Sequence, residues 1–378
     1  MSVLFEPVRI GGLDIKNRFI RSAAYYALSD IDGFIGGASV DLMRTLAEGG
    51  VGLIMTGAAF VHENGQGGPD MNGIQDDAHI PGYQKMTGAV HEAGGRIAMQ
   101  IVHSGMASRM IARSGGDYMA VSLVENMPDY GVQPREMNED DIEGVIEAFG
   151  QAGRRVEEAG FDGVQIHGSH GSLISQFLSP TTNRRNDKWG GPLENRMRFV
   201  IEVVRSINKH VKEDFPVMIK LGARDYLEEN GGLISEEGAE VGKALEEAGI
   251  SLIEVSHGFQ DDSYRKKFLG ITAPEKEAYY LSDARVVRAA TSGPLSLVGG
   301  LRSLPVMEEV VKSGVADCIS ICRPLIREPG LIKRWMAGDT RPAEIKRCIF
   351  IVVSLKKLKV RNKKCQCFSN QLGSVISR

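Results

Sequence analysis

The chain has 378 residues, 42% hydrophobic and 25% charged, a balance that excludes collagen, coiled coil and intrinsic disorder and fits one large or two medium globular domains. After Glu344 there are nine Lys or Arg and no Asp or Glu, so residues 1–344 hold 36 basic against 48 acidic side chains, an acidic body unsuited to nucleic acid. No run approaches the ~18 apolar residues of a membrane span, the first residues lack a secretory pattern, and the five cysteines are an odd count with no Cys-x-x-Cys pair, so a reduced, cytoplasmic protein is expected.

Along the chain, short runs of β-branched and aliphatic residues alternate with amphipathic stretches of helical length. Strands are predicted at 18–23, 51–56, 96–102, 163–167, 216–221, 251–256, 295–298 and 317–321. Helical patterns include 38–48, 140–159, 193–211, 235–248, 283–290 and 304–313. Several strands are nearly continuous apolar runs, as expected where helices cover both faces of a parallel sheet. Glycines at 49–50, 94–95, 160, 249 and 314 follow helical segments, where they supply left-handed caps.

Eight βα units in over 300 residues predict an α/β fold, a (β/α)8 TIM barrel over residues 1–340, with a doubly wound sheet as the alternative. Residues 341–378 form an atypical basic tail. The long loops, about 57–80, 103–139, 168–192 and 257–280, all follow strands, and long loops on one rim are where a site is built.

Three places could carry chemistry. His167 and His170 end the fourth strand, and two neutral imidazoles there can donate to one oxygen on which negative charge develops; metal ligation or polar packing are the other readings. Gln100 and Lys220 are embedded in the third and fifth strands, where they bind the edge of a planar heterocycle or, for Lys220, form an internal ion pair with Asp225 or Glu254. Gly299-Gly300 follows strand seven and Cys322-Arg323 follows strand eight, the usual phosphate position of this barrel. Tight turns are the alternative there.

Taken together, His167-Gly168-Ser169-His170-Gly171, Gln176-Phe177-Leu178-Ser179-Pro180, Asn183-Arg184-Arg185, Asp187-Lys188-Trp189-Gly190-Gly191 and Leu193-Glu194-Asn195-Arg196 resemble the old yellow enzyme family. That family comprises NADH:flavin oxidoreductases and the N-terminal module of bacterial 2,4-dienoyl-CoA reductases. The resemblance covers about residues 3–340 and is supported by Leu4-Phe5-Glu6-Pro7, Asn17-Arg18-Phe19, Gln100-Ile101-Val102-His103, Pro134-Arg135-Glu136-Met137 and Val298-Gly299-Gly300.

The resemblance implies FMN across the barrel mouth, with NADH or NADPH as electron donor and a small enone or enoate as substrate. Backbone near Ala24 and Ala58 would meet the isoalloxazine, Gln100 its pyrimidine edge and Lys220 its N1/O2 side. Gly299, Gly300, Cys322 and Arg323 would hold the phosphate, and His167 and His170 the substrate carbonyl. No membrane or nucleic-acid partner is implied, and a homo-oligomer is left open. An FMN-dependent amine dehydrogenase or demethylase, a flavin-binding electron-transfer protein, and a non-flavin barrel using Lys220 as a Schiff base are the other readings.

The chain departs from the family pattern at four points. Ser172 stands where a proton-donating tyrosine is common, leaving Tyr25, Tyr26 or solvent to supply the proton, with Tyr25 taken as the catalytic candidate. Tyr25 itself replaces the usual Thr or Cys beside the flavin, and Cys322 replaces a glycine. After Arg347 the acids and the family pattern stop, and Cys348, Cys365 and Cys367 make no convincing Fe–S ligand set, so the segment from about 349 reads as frame-shifted or truncated coding sequence.

Overall fold

The computed structural model describes residues 2–125, 129–227, 231–268, 271 and 273–344. The basic tail from 345 onward, with Cys348, Cys365 and Cys367, lies outside the described residues.

Eight parallel strands close on themselves in chain order: β1 (Phe19–Arg21), β2 (Leu53–Met55), β3 (Ile97–Val102), β4 (Val164–Gly168), β5 (Val217–Gly222), β6 (Leu252–Ser256), β7 (Leu295–Leu297) and β8 (Cys318–Ile321). Closure is made by β8 beside β1, with Ile319 opposite Phe19. A closed sheet has no edge to protect, and this one excludes the doubly wound alternative. Every residue of β3 and β5 is buried, which explains why both read as unbroken apolar runs holding a single polar residue.

The outer layer contains α1 (Gly37–Glu48), α2 (Ile80–Glu92), α3 (Glu139–Glu158), α4 (Leu193–His210), α5 (Ser235–Glu247), α6 (Leu281–Ala290) and α7 (Leu304–Lys312). α3 starts on a capping box in which Asn138 and Asp141 each accept from the other's backbone N–H. Its apolar stripe, Ile142, Val145, Phe149, Ala152 and Val156, is buried beside α4. The predicted helix stops are where glycine adopts positive φ, at Gly50, Gly94, Gly160, Gly249 and Gly314.

An N-terminal hairpin, Val8–Ile10 with Leu13–Ile15, closes the lower end of the barrel. Ile10, Leu13 and Ile15 pack on Ile20, Leu53, Ala98, Met218 and Leu252, so apolar side chains cover this end of the barrel. Each fully buried isoleucine there contributes roughly 1.5–3 kcal/mol. At the other chain end, packing extends to Ala343, which is buried and exchanges hydrogen bonds with Arg302.

The four long loops are more structured than their sequence suggested. They carry short helices at Arg109–Ser114, Leu173–Leu178 and Asp262–Lys267, and small strand pairs at 59–60 with 72–73 and at 119–120 with 135–136.

Candidate active site

At the C-terminal rim lies a cavity of about 220 Å³. His170, Lys220, Gly299, Gly300, Cys322 and Arg323 all line it, so six of the predicted residues from strands four, five, seven and eight converge on one space.

The two histidines are placed by β4 and the turn after it. His170 has φ +57 and Gly171 φ +75, two successive left-handed residues that throw the chain back over the barrel and leave the imidazole facing the cavity. The rings of His167 and His170 meet edge to face, with centroids 5.3 Å apart. Each has one nitrogen on a serine: His167 Nδ1 is 3.1 Å from Ser169 Oγ, and His170 Nε2 is 2.9 Å from Ser256 Oγ. Among the described residues, His167 Nε2 and His170 Nδ1 have no hydrogen-bond partner. Burial lowers His167 to about 3, with Lys220 and His257 adding repulsion. His170 is also lowered, first by the protein around it and then by His257 and Lys220, although the cavity leaves its ring reachable. Both are therefore neutral imidazoles at neutral pH, each able to present one N–H.

His257, which sequence reasoning missed, stands 4.5 Å from His170 ring to ring and also lines the cavity. Its backbone carbonyl accepts from His170 N–H, and burial chiefly holds its imidazole at about 4. Its only sequence signal was its place just after the sixth strand.

Lys220 is neutralised inside the barrel. Its Nζ lies 3.2 Å from Glu254 Oε1, and the two side chains are 4% and 0% exposed. Ser22 accepts from Lys220 Nζ at 2.7 Å and donates to Glu254 Oε1 at 2.6 Å. The other carboxylate oxygen accepts from Gln165, whose own Oε1 accepts from Gln100. Asp225, the other expected partner, is committed elsewhere, accepting from Ser179 Oγ, Leu233 N and Phe259 N.

The glycine turn after β7 has a bare backbone toward the cavity. Gly300 has φ +67, and a Cβ there would come within 2.8 Å of the Tyr279 ring and 3.0 Å of Ile271, so glycine is required both by the angle and by the space. Arg323 faces the same space against the Tyr279 hydroxyl, and among the described residues no carboxylate pairs with it. An unneutralised cation beside an open glycine backbone fits a phosphate. Cys322 has φ −119, outside the left-handed region that would call for glycine. Beneath it, Arg21 is fully buried, donates to Met55 O at 2.7 Å and leaves Nη2 without a partner among the described residues.

Other predicted residues lie apart from this cavity's lining. Tyr25 and Ala58 pack with Phe60, Met71 and Val102, and burial raises the Tyr25 hydroxyl, which bonds the backbone of Asp70. Ala24 directs its carbonyl at Gly57, where a Cβ would approach to 2.6 Å, so β1 and β2 meet closely at the rim. Ser172 donates to His167 O at 2.7 Å, which occupies its hydroxyl in closing the turn.

The long motif that carried the resemblance works largely as a clamp on the loops. Gln176 donates to Ser104 O and Gly171 O and accepts from Met106 N, fixing the loop after β3 against the histidine turn. Arg185 donates to Val121 O and Met137 O while pairing with Asp187.

A barrel with an open glycine turn and a cavity-facing arginine after strands seven and eight, a buried lysine on strand five and paired neutral imidazoles at the end of strand four gathers its polar groups at the strand C-termini, where barrels of this kind build their sites. The sequence profile of the NADH:flavin oxidoreductase / NADH oxidase family matches residues 3–341, and the chain belongs to that family, the old yellow enzymes. It is 35% identical to an NADH oxidase of Thermoanaerobacter brockii over 92% of this chain and 52% of that one. It is 34% identical to an NADPH dehydrogenase of Geobacillus sp. (strain WCH70) over 87% of this chain and 92% of that one. Among solved structures, 2-naphthoyl-CoA reductase in complex with 2-naphthoyl-CoA superposes with a TM-score of 0.82 at 30% identity, covering 90% of this chain and 53% of that one. Morphinone reductase superposes with a TM-score of 0.75 at 26% identity, covering 92% of each. The chain thus spans about half the length of some relatives, including a metal reductase of Desulforamulus reducens of which it covers 50%, and nearly all of others. Among the described residues, no helix is long and apolar enough to cross a membrane.

Proposed function

We propose that the barrel of residues 1–340 is the catalytic unit and that it reduces the activated C=C bond of a small α,β-unsaturated carbonyl compound, an enone or enoate. The observation that carries this reading is the pair of neutral imidazoles, His167 and His170, each anchored on a serine and each with one nitrogen open. Bound FMN would supply the hydride chemistry, accepting a hydride from NADH or NADPH and delivering it to the alkene β-carbon.

The chain's own residues do the rest. When Ser169 and Ser256 donate to the anchored nitrogens, the protons sit on His167 Nε2 and His170 Nδ1, which then face the carbonyl oxygen as two fixed donors. Negative charge building on that oxygen is stabilised without any protein group having to ionise. Gly299, Gly300, Cys322 and Arg323 would hold the FMN phosphate, Lys220 and Gln100 its pyrimidine side, and the backbone near Ala24 and Ala58 its ring. Gln100 donates to Gln165, which leaves its own carbonyl oxygen as the open group. Tyr25 is the proton donor in this reading, since Ser172 is held on a backbone carbonyl.

A second substrate reading comes from the likeness to 2-naphthoyl-CoA reductase, which favours an aromatic or unsaturated CoA thioester over a free enone. Both are tested by anaerobic titration of the flavin-loaded protein with NADPH, followed by cyclohexenone or the thioester. Flavin absorption that bleaches with NADPH and returns with one of them supports that substrate class. Bleaching reversed only by oxygen refutes both.

A further inference from the structure

Lys220 reaches the cavity, but it does not reach it as a lone cation. It stands opposite Glu254 in the β5–β6 register, and both side chains enter the barrel interior. The Glu254 carboxylate accepts from Ser22 and meets Lys220 on Oε1 and accepts from Gln165 on Oε2, and the buried Arg21 guanidinium attracts it through space. Lys220 and Ser22 line the cavity, whereas Glu254 lies behind them. Gln165 in turn accepts from Gln100, so a hydrogen-bonded chain crosses the barrel from Ser22, just past β1, through Glu254 on β6 and Gln165 on β4 to Gln100 on β3, with Lys220 on β5 branching from Ser22 and Glu254.

A buried ion pair contributes little net stability, because desolvating two charges offsets most of their attraction. Its consequence here is electrostatic. A lone lysine beside a flavin would favour the added negative charge of the reduced form, whereas a lysine backed by a carboxylate does so far less. We propose that Glu254 is a positioning residue that balances the charge of Lys220 and thereby keeps bound FMN a strong hydride donor, with Gln165 and Ser22 fixing the carboxylate. The inference rests on the FMN reading above and concerns how this chain tunes that cofactor.

The test uses sulfite, which adds reversibly to oxidised flavins and binds more tightly as the flavin becomes easier to reduce. Glu254→Gln keeps the shape of the side chain and one of its two accepting oxygens while leaving Lys220 unbalanced. It should tighten sulfite binding at least about tenfold, equal to about 30 mV for a two-electron couple, and raise the flavin midpoint potential. The double variant Lys220→Met with Glu254→Gln removes both charges and should return sulfite affinity to within about threefold of wild type. Unchanged sulfite affinity and potential in Glu254→Gln overturn the proposal, as does a tenfold or greater weakening in the double variant, which would mean that Lys220 acts as an unbalanced cation. If Glu254→Gln does not fold with flavin, the double variant decides alone, and loss of FMN from both makes the pair a binding element and overturns the tuning role. Failure of wild-type protein to bind FMN is separable, because it refutes the cofactor reading before any variant is compared.

Discussion

His170 on the turn after β4 is tied to Ser256 at the end of β6, Nε2 to Oγ, at 2.9 Å. The bond spans two strands of the rim and fixes both the ring plane and the nitrogen left for the cavity. Ser256→Ala should therefore free the imidazole without removing it. We expect enone kcat/KM to fall about tenfold, consistent with losing an orienting bond worth about 1–1.5 kcal/mol, while FMN content stays unchanged. Steady-state assays with cyclohexenone check this; equal kinetics would mean that Ser256 does not set the imidazole.

Removing the donors themselves should cost more. With His167 and His170 both replaced by Ala, flavin reduction by NADPH should persist, and enone turnover should drop by at least about a hundredfold, the loss typical of oxyanion donors. Unchanged turnover would refute their role. The same variant separates the ene-reductase reading from a flavin-binding electron carrier, since a carrier has no use for carbonyl donors.

The proton is assigned by two further substitutions. Tyr25→Phe should slow enone-dependent flavin reoxidation at least tenfold with little change in reduction by NADPH, measured by stopped flow. Ser172→Ala should stay within about threefold of wild type, because its hydroxyl is bonded to His167 O, and should lose about 1 kcal/mol of stability with that hydrogen bond. If Tyr25→Phe is silent, solvent supplies the proton.

Flavin retention should depend on the turn after β7. Gly300→Ala places a methyl group 2.8 Å from Tyr279 in a backbone region costly for alanine by about 1 kcal/mol or more. Arg323→Ala removes the cavity-facing cation that has no carboxylate partner among the described residues. Both should lower the flavin-to-protein absorbance ratio after purification and weaken FMN binding on reconstitution, the arginine change tenfold or more. Full FMN content in both would move the phosphate elsewhere.

Much of this was legible in the sequence because a parallel barrel writes its strands as apolar runs and its helix stops as glycines. The eight strands, and the convergence of His170, Lys220, Gly300 and Arg323, follow from strand order alone. What could not be read was the pairing across strands. Lys220 had two acidic candidates, Asp225 and Glu254, and only the β5–β6 register decides between them. His257 and Tyr279 carry no periodic signal, and they enter the cavity because the loop after β6 folds back over it. Helix α2, with Pro81 at its start and Gly82 and Gly88 inside it, has a weak intrinsic pattern and is held by packing of Tyr83, Met86 and Val90.

Acid should weaken this fold before its carboxylates titrate. Burial, with some repulsion from His62, lowers His103 to about 3, and its neutral form is fixed by accepting from Gly105 N while Nε2 faces Asn64 Oδ1. In the unfolded chain the same imidazole takes up its proton near pH 6.5. Between about pH 6.5 and 3 the unfolded state therefore binds more protons, so stability is full above that window and falls as pH drops through it. His103 alone contributes about 1.4 kcal/mol per pH unit within the window. His167 and His257 act in the same direction but less strongly, since both are partly accessible. Thermal unfolding should then show a Tm that declines steadily from pH 6.5 to 5, and His103→Gln should flatten that decline even if it lowers Tm overall. The cavity imidazoles stay neutral through the same range, so enone kcat/KM should show no imidazole titration near 6.5; a protonation step there would mean that one of them is far less shielded than its surroundings require.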